Sequence, residues 1–233
     1  MGLPIMILGE SGTGKSASLR NLPPDSTGIF NVGSKPLPFK DAAMAKRCVN
    51  TDSMTKILEQ LPRVSAPIIV IDDAQYLMAN QYMRSANVTG FQKFTDIQKA
   101  FWDIVQMVTQ QLAPDKIVYF MMHVERDANG HEKAKTIGKL LDEKITLEGM
   151  FTVVLKTCVQ DGHYWFSTQN SGLDTVKTPI GMFEDALVPN DLRLVDATIR
   201  SYYDLPAVVA ADTHKKGSAA AASTAPPKEA ASA

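Results

Sequence analysis

The sequence predicts an α/β fold in three layers, a mostly parallel sheet between helices, with a β-hairpin near its C-terminal end. Three observations carry this. Short apolar runs at residues 3–8, 66–73 and 116–123 read as buried strands. Within the second of these runs, the four consecutive β-branched residues Ile68 to Ile71 suit a strand covered on both faces, as in a parallel sheet. Stretches with one apolar face at helical spacing alternate with these runs, as in βαβ units. Finally, Asp161-Gly162 separates the strand-like runs 151–159 and 163–168, and Asp-Gly is favoured where a tight turn needs positive φ.

The chain has 233 residues, is 45% hydrophobic and 21% charged, and carries a net charge of −1. That length suits one α/β domain, assigned to residues 1–205, followed by an Ala/Ser/Pro-rich tail over 206–233. From about His214 on, small and polar residues replace every large apolar one. Such a tail cannot bury enough surface to offset its ordering entropy, so disorder is expected there. No stretch approaches the ~18 apolar residues of a membrane span, and no charged-then-apolar leader precedes the first strand. A cytoplasmic protein with no membrane partner is expected. Cys48 and Cys158 form no C-x-x-C pair, which favours buried small hydrophobes over a disulfide or zinc site. The near-neutral charge provides no global basic field for duplex nucleic acid and leaves room for a local loop contact.

Taken in order, the strand Leu3 to Leu8 runs into Gly9, Glu10, Ser11, Gly12, Thr13, Gly14, Lys15 and Ser16. These match G-x-x-x-x-G-K-[ST] at every fixed position. The start of a helix, Ser16 to Arg20, follows, which completes the setting a phosphate-binding P-loop needs. The glycines let successive N–H groups turn inward around a phosphate chain, and the positive end of the helix adds to their pull. Lys15 is expected at the β- and γ-phosphates and Ser16 on Mg²⁺, with Ala17 completing the nucleotide-binding set. Pro23-Pro24 keep this first helix short. Gly28 to Val32 reads as a second strand, leading into the stiff loop Lys35-Pro36-Leu37-Pro38-Phe39 near the strands' carboxyl edge. Asp41 to Arg47 and Ser53 to Leu61 read as short helices.

The strand Ala66 to Asp73 ends in two acids at the edge where open α/β sheets bind ligands. Four apolar residues followed by acid, after a P-loop, make a Walker B reading with Asp72 in the Mg²⁺ shell. Asp73 either orients or deprotonates the attacking water, or caps the next helix. Ala74 to Asn87 and Phe94 to Leu112 are helical by periodicity, split at Thr89-Gly90. Met78, Met83, Phe94, Ile97, Phe101, Ile104, Val105 and Val108 form their core-facing stripe. His123 ends the strand Lys116 to His123, where it senses a γ-phosphate or is simply a hydrogen-bonded histidine. Val124 to Thr136 lacks apolar periodicity and reads as a mobile loop, and a helix follows from about Gly138 to Met150. After the hairpin, Phe183 to Leu187 reads as a turn, and Asn190 as the cap of a last helix, Asp191 to Tyr203.

These parts point to Mg²⁺-dependent ATP hydrolysis with Lys15, Asp73 and His123 as catalytic residues, chemistry that is mostly positioning and charge neutralisation. A cation for the transition state is missing from the list. Arg126 in the loop and Lys177 beyond the hairpin are the candidates to act in trans on a neighbouring subunit, and each is otherwise a solvated surface charge. GTP is disfavoured by the lack of an N-K-x-D motif. An arginine-bearing lid, as a small-molecule kinase would want, is disfavoured by one arginine against four lysines between Val124 and Lys144.

With Gly9 to Ser16, Lys35 to Phe39, Ile68 to Leu77, His123 and Thr136 to Lys144 placed, the chain resembles phage-encoded AAA-type P-loop ATPases with a minimal RecA-like core. That group includes single-strand-annealing recombinases. The resemblance spans roughly residues 3 to 204. It implies a RecA-like sheet and ATP-dependent action on single-stranded DNA in phage recombination, replication or repair, in the host cytoplasm. It also implies homo-oligomers with nucleotide between subunits. Lys133, Lys135 and Lys139 are the DNA-contacting candidates it suggests. Two features depart from the group. The obvious catalytic acid is Asp73 beside Asp72, where RecA-like proteins usually take a glutamate from another strand. Residues 125–144 balance five acids against five bases. The alternative is a nucleotide-switched loader or assembly factor that grips a protein partner.

Overall fold

The computed structural model describes residues 1–208, so the expected tail lies, from residue 209 on, outside the described residues. In chain order the strands and helices are β1 (Leu3–Leu8), β2 (Thr27–Asn31), α1 (Ala42–Ala45), β3 (Cys48–Asn50), α2 (Met54–Gln60), β4 (Ile68–Asp72), α3 (Gln75–Arg84), α4 (Gln92–Gln111) and β5 (Ile117–Met122). Then come β6 (Val124–Arg126), β7 (Glu132–Ala134), β8 (Val153–Gln160), β9 (His163–Ser167), β10 (Leu187–Pro189) and α5 (Leu192–Tyr202). Eight strands make one sheet in the order β10-β9-β8-β1-β5-β4-β2-β3, while β6 and β7 form a separate ribbon. The run from β8 to β3 is parallel throughout, and β9 is antiparallel to both of its neighbours, β8 and β10.

The period-2 alternation of a strand divides the core between two faces. Met6 and Leu8 of β1 join Ile57, Leu77, Met78 and the α4 residues Ile97, Phe101, Ile104, Val105 and Val108 on one side. Ile5 and Ile7 join Leu19, Met44, Val195 and Ile199 on the other. Helices therefore cover both faces of the sheet. At the amino edge of the strands, α5 is tied down by a buried ion pair. Arg200 donates to Asp196 at 2.7 Å and to the carbonyls of Asp115 and Pro67 at 2.9 and 3.0 Å, and Tyr119 donates to Asp196 at 2.8 Å.

Several expectations are corrected. The segment after the glycine loop, Ser16–Asn21, is a 3₁₀-helix, because Pro23 and Pro24 leave no room for more turns. Met83 is 68% exposed, since it lies five residues beyond Met78, about 140° further around the helix. Residues 124–136 are no loose loop. Asp127 accepts the N–H groups of Asn129 and His131 to shape a turn, and Glu148 accepts that of Ala134 at 2.6 Å, so β6 and β7 pair. The helix expected over 138–150 splits into a π-helical turn, Leu140–Ile145, and a 3₁₀-helix, Leu147–Met150, at Thr146 with φ of 61°. Residues past the expected turn at 183–187 add β10. Asp191, not Asn190, caps α5, by accepting from Arg193 N–H at 3.0 Å. Both cysteines are only partly buried, Cys48 on the edge strand β3 and Cys158 in the outer half of β8. Among the described residues no helix is long and apolar enough to cross a membrane.

Candidate functional site

A cleft of about 350 Å³ opens over the carboxyl edge of the sheet, where ligands bind in open α/β folds. The loop after β1 supplies Ser11, Gly12, Gly14, Lys15 and Ser16, with Ala17 beside them. The ends of β2, β4 and β5 bring Asn31, Asp72 with Asp73, and His123, and Tyr164 of β9 completes the far wall. Gly9, Glu10 and Thr13 stay out of the lining. Thr13 is pinned to β8 through a hydroxyl–hydroxyl bond of 2.6 Å to Thr157, and Glu10 points outward.

Gly12 and Gly14 adopt φ of +80° and +99°, left-handed values that favour glycine. Gly9 is required for another reason: a Cβ there would sit 1.9 Å from Thr157 Oγ1. The chain folds the Lys15 side chain back onto its own loop, where Nζ donates to the carbonyls of Gly9 and Glu10 at 2.7 and 2.8 Å. Burial lowers the Lys15 pKa to about 8 against the opposing pull of Asp73 and Asp72. Ser16 donates to Asp72 Oδ1 at 3.0 Å. Burial, reinforced by the Asp73 charge, raises Asp72 to about 6 despite the Ser16 bond and Lys15.

Asp73 has left the strand and holds φ of 59°, a region Asp enters more readily than most residues. Its carboxylate caps nothing, for Ala74 holds the N-cap position before α3 and no side chain caps that helix. The capping reading therefore falls. Instead Asp73 Oδ2 accepts from Lys35 Nζ at 3.2 Å, and Oδ1 lies 3.5 Å from His123 Nε2. Burial and Lys15 lower the His123 pKa, so the ring is neutral at pH 7 and this second contact is not an ion pair. The His123 backbone is held in place, its main-chain N–H donating to Gln75 Oε1 at 3.2 Å.

The cleft thus gathers Lys15, Ser16, Asp72, Asp73 and His123 into one place. Comparison with protein families finds no family model that matches the chain, and comparison with curated proteins finds no match. The other expected residues lie elsewhere. Arg126 sits on β6, held by its own chain's Glu10 at 3.2 Å and by Glu132. Lys177 is exposed outside the cleft, where its backbone bridges to Val154. Lys133 pairs with Asp142 and Glu125, and Lys139 with Glu143. Lys135 donates its backbone N–H to His123 and lines a smaller cavity of about 240 Å³ behind that histidine.

Sequence reasoning missed Asn31, the approach of Lys35 to Asp73, Tyr164 and the packing of Thr157 on Gly9. Asn31 had a signal, being the last residue of a strand. Lys35 had part of one, in its loop placed near the strands' carboxyl edge, and the rest had none, because their partners are far away in sequence. As for a metal, Ser16 and Asp72 present two oxygens side by side. Among the described residues no group of three or more His, Cys, Asp or Glu is placed to hold an ion. That donor set suits Mg²⁺, which keeps waters and takes substrate phosphates as its other ligands. It does not suit an all-protein cage.

Proposed function

We propose that this cleft binds ATP with Mg²⁺ and hydrolyses it, making the chain a P-loop ATPase of the RecA-like, phage single-strand-annealing type. The observation that carries the reading is the Ser16–Asp72 contact of 3.0 Å, with Lys15 and Asp73 opening onto the same cleft. Lys15 would exchange the carbonyls of Gly9 and Glu10 for β- and γ-phosphate oxygens, an exchange of neutral for charged acceptors that favours the ligand. The N–H groups of Gly12 to Ser16 would cradle the phosphate chain. Ser16 and Asp72 would hold Mg²⁺, which neutralises charge on the phosphate oxygens when bound. Asp73, unused by any cap, would accept the proton of the attacking water. The water oxygen bonds to the γ-phosphorus as the bond to the β–γ bridging oxygen breaks, and that electron pair stays on ADP. Neutral His123 would sense the γ-phosphate beside Asp73.

Single-stranded DNA as the target, and homo-oligomers with nucleotide between subunits, rest on the sequence resemblance. The test is phosphate release with Mg²⁺ and ATP, with and without single-stranded DNA, alongside mass measurement in each nucleotide state. Turnover that rises with DNA, and a DNA affinity that falls steeply with salt, are the expected results. Rates indifferent to any DNA would reject the recombinase part. One observation favours a second reading, a nucleotide-switched loader for a protein partner: Lys133 and Lys139 are both paired with acids of their own chain. That reading expects a partner complex that forms only with a non-hydrolysable ATP analogue.

A further inference from the structure

The cleft contains a cation that neither the glycine-loop motif nor the acid pair demands. We propose that Lys35 is a catalytic residue of the hydrolysis. Its ammonium neutralises Asp73 until nucleotide binds, then moves to the γ-phosphoryl group and stabilises transition-state charge from within the same chain. This inference rests on the ATPase reading above.

Four observations carry it. Among the described residues, Lys15 and Lys35 are the two cationic side chains lining the cleft, with no arginine beside them. The Lys35 ammonium lies 3.2 Å from Asp73 Oδ2 and 5.3 Å from the centre of the Tyr76 ring, so it already stands at the acid end of the site. Its backbone is anchored at the carbonyl: Asn31 donates its side-chain amide to the Lys35 carbonyl at 2.7 Å, and the following Pro36 disfavours helical conformations at Lys35. Only the four-carbon stem is left to move, and the side chain is 66% exposed. Finally, the two cations that the sequence suggests for this role are engaged or remote, Arg126 with Glu10 and Glu132 and Lys177 outside the cleft.

The charge balance gives the movement its direction. A γ-phosphoryl group offers three oxygens and more negative charge than one carboxylate, and charge-assisted bonds strengthen as water leaves. One displacement would therefore do two things. It would place a positive charge where negative charge develops, and it would leave Asp73 Oδ2 without its donor, free to take the water proton. Like any exposed lysine it is charged at neutral pH, and the bond to Asp73 raises its pKa further above the ordinary lysine value.

The test compares wild type, Lys35→Ala and Lys35→Arg in Mg²⁺-dependent ATP turnover, and measures binding of ADP and of ADP with aluminium fluoride, a mimic of the transferring phosphoryl group. Lys35→Ala is expected to lower kcat by about 100-fold, the effect of removing one preorganised transition-state donor. Its ADP affinity should stay within about twofold of wild type, because uniform binding is not what is lost. Affinity for the aluminium fluoride complex should fall with kcat, Lys35→Arg should restore part of both, and the melting temperature should not move. Wild-type or faster turnover in Lys35→Ala overturns the proposal alone. So does an equal loss of affinity for ADP and for the mimic. A wild-type chain that releases no phosphate overturns the ATPase reading, and this proposal with it.

Discussion

Burial holds the Lys15 ammonium close to the pH at which it loses its proton. With a pKa of about 8, it is charged at pH 7 and largely neutral at pH 9. A bound triphosphate, on the proposed function, would raise that value, so in the window above pH 8 binding would take up a proton. Nucleotide affinity is therefore predicted to fall as pH rises through 8, by up to about tenfold per unit. Fluorescence titration across the window, with Lys15→Arg as the variant that stays charged, checks this. For folding the sign is opposite. The unfolded chain holds the proton up to 10.5, so this group makes the nucleotide-free protein more stable as pH rises from 8 toward 10.5. Lys15→Ala should remove most nucleotide affinity or turnover. Asp73→Asn should keep ATP binding while slowing hydrolysis, and an Asp73→Asn protein turning over at the parent rate would remove Asp73 from the mechanism. Gly9→Ala is predicted to disrupt the loop, because its methyl meets Thr157 Oγ1 at 1.9 Å. Adding Thr157→Ala should recover part of the loss, a coupling that a double-mutant cycle measures directly.

Among the elements, the β6–β7 ribbon owes its place to charge. Glu132 on β7 meets Arg126 and Lys156, and Lys156 of β8 also donates to Asp174 at 2.8 Å. The Asp174 side chain is only 1% exposed. Lys156→Ala leaves it with Ser171 and the backbone N–H of Val176 as its remaining donors. A loss of about 1–3 kcal/mol in urea denaturation is predicted, the penalty for an under-satisfied buried acceptor. The neighbouring acids carry pKa values held down by these cations, so this stabilisation is lost as pH falls toward the acid range. Such an element explains what the sequence could and could not announce. β1, β4, β5 and α4 declare themselves through apolar period and length. The ribbon is built from a turn made by Asp127 and a cap made by Glu148, and neither has a period to read. The π-helical turn before Thr146 is held from α4, where Gln98 accepts Leu141 N–H at 2.6 Å, a contact across 43 residues. β3 and β10, three residues each, are too short to show alternation.

For the molecule as a whole, the two edges of the sheet have different work. The carboxyl edge holds the cleft, and the amino edge holds the buried Arg200–Asp196–Tyr119 cluster. Arg200→Ala is predicted to cost about 3–5 kcal/mol, since it strands a buried carboxylate. Lys99→Ala, which breaks an exposed pair with Asp103 at 2.7 Å, should change stability by less than about 0.5 kcal/mol. Chemical denaturation of the two variants separates them. Of the site, the contiguous part was readable: eight residues of loop and two acids at a strand end. What joins distant segments was not, as with Lys35 on Asp73, Thr157 on Gly9 and Tyr164 over Gly14. Those contacts depend on strand order, which no local pattern encodes.

The strand order has one more consequence. Both lateral borders of the sheet, β3 and β10, are three-residue strands, and β10 ends in Pro189, which has no N–H to offer. Short borders and a border proline are how sheets discourage strand-by-strand growth into polymers. Among the described residues, then, copies of this chain have little backbone with which to fuse their sheets. Any self-association, such as the proposed nucleotide-bridged oligomer would need, falls to side chains on loops and helices.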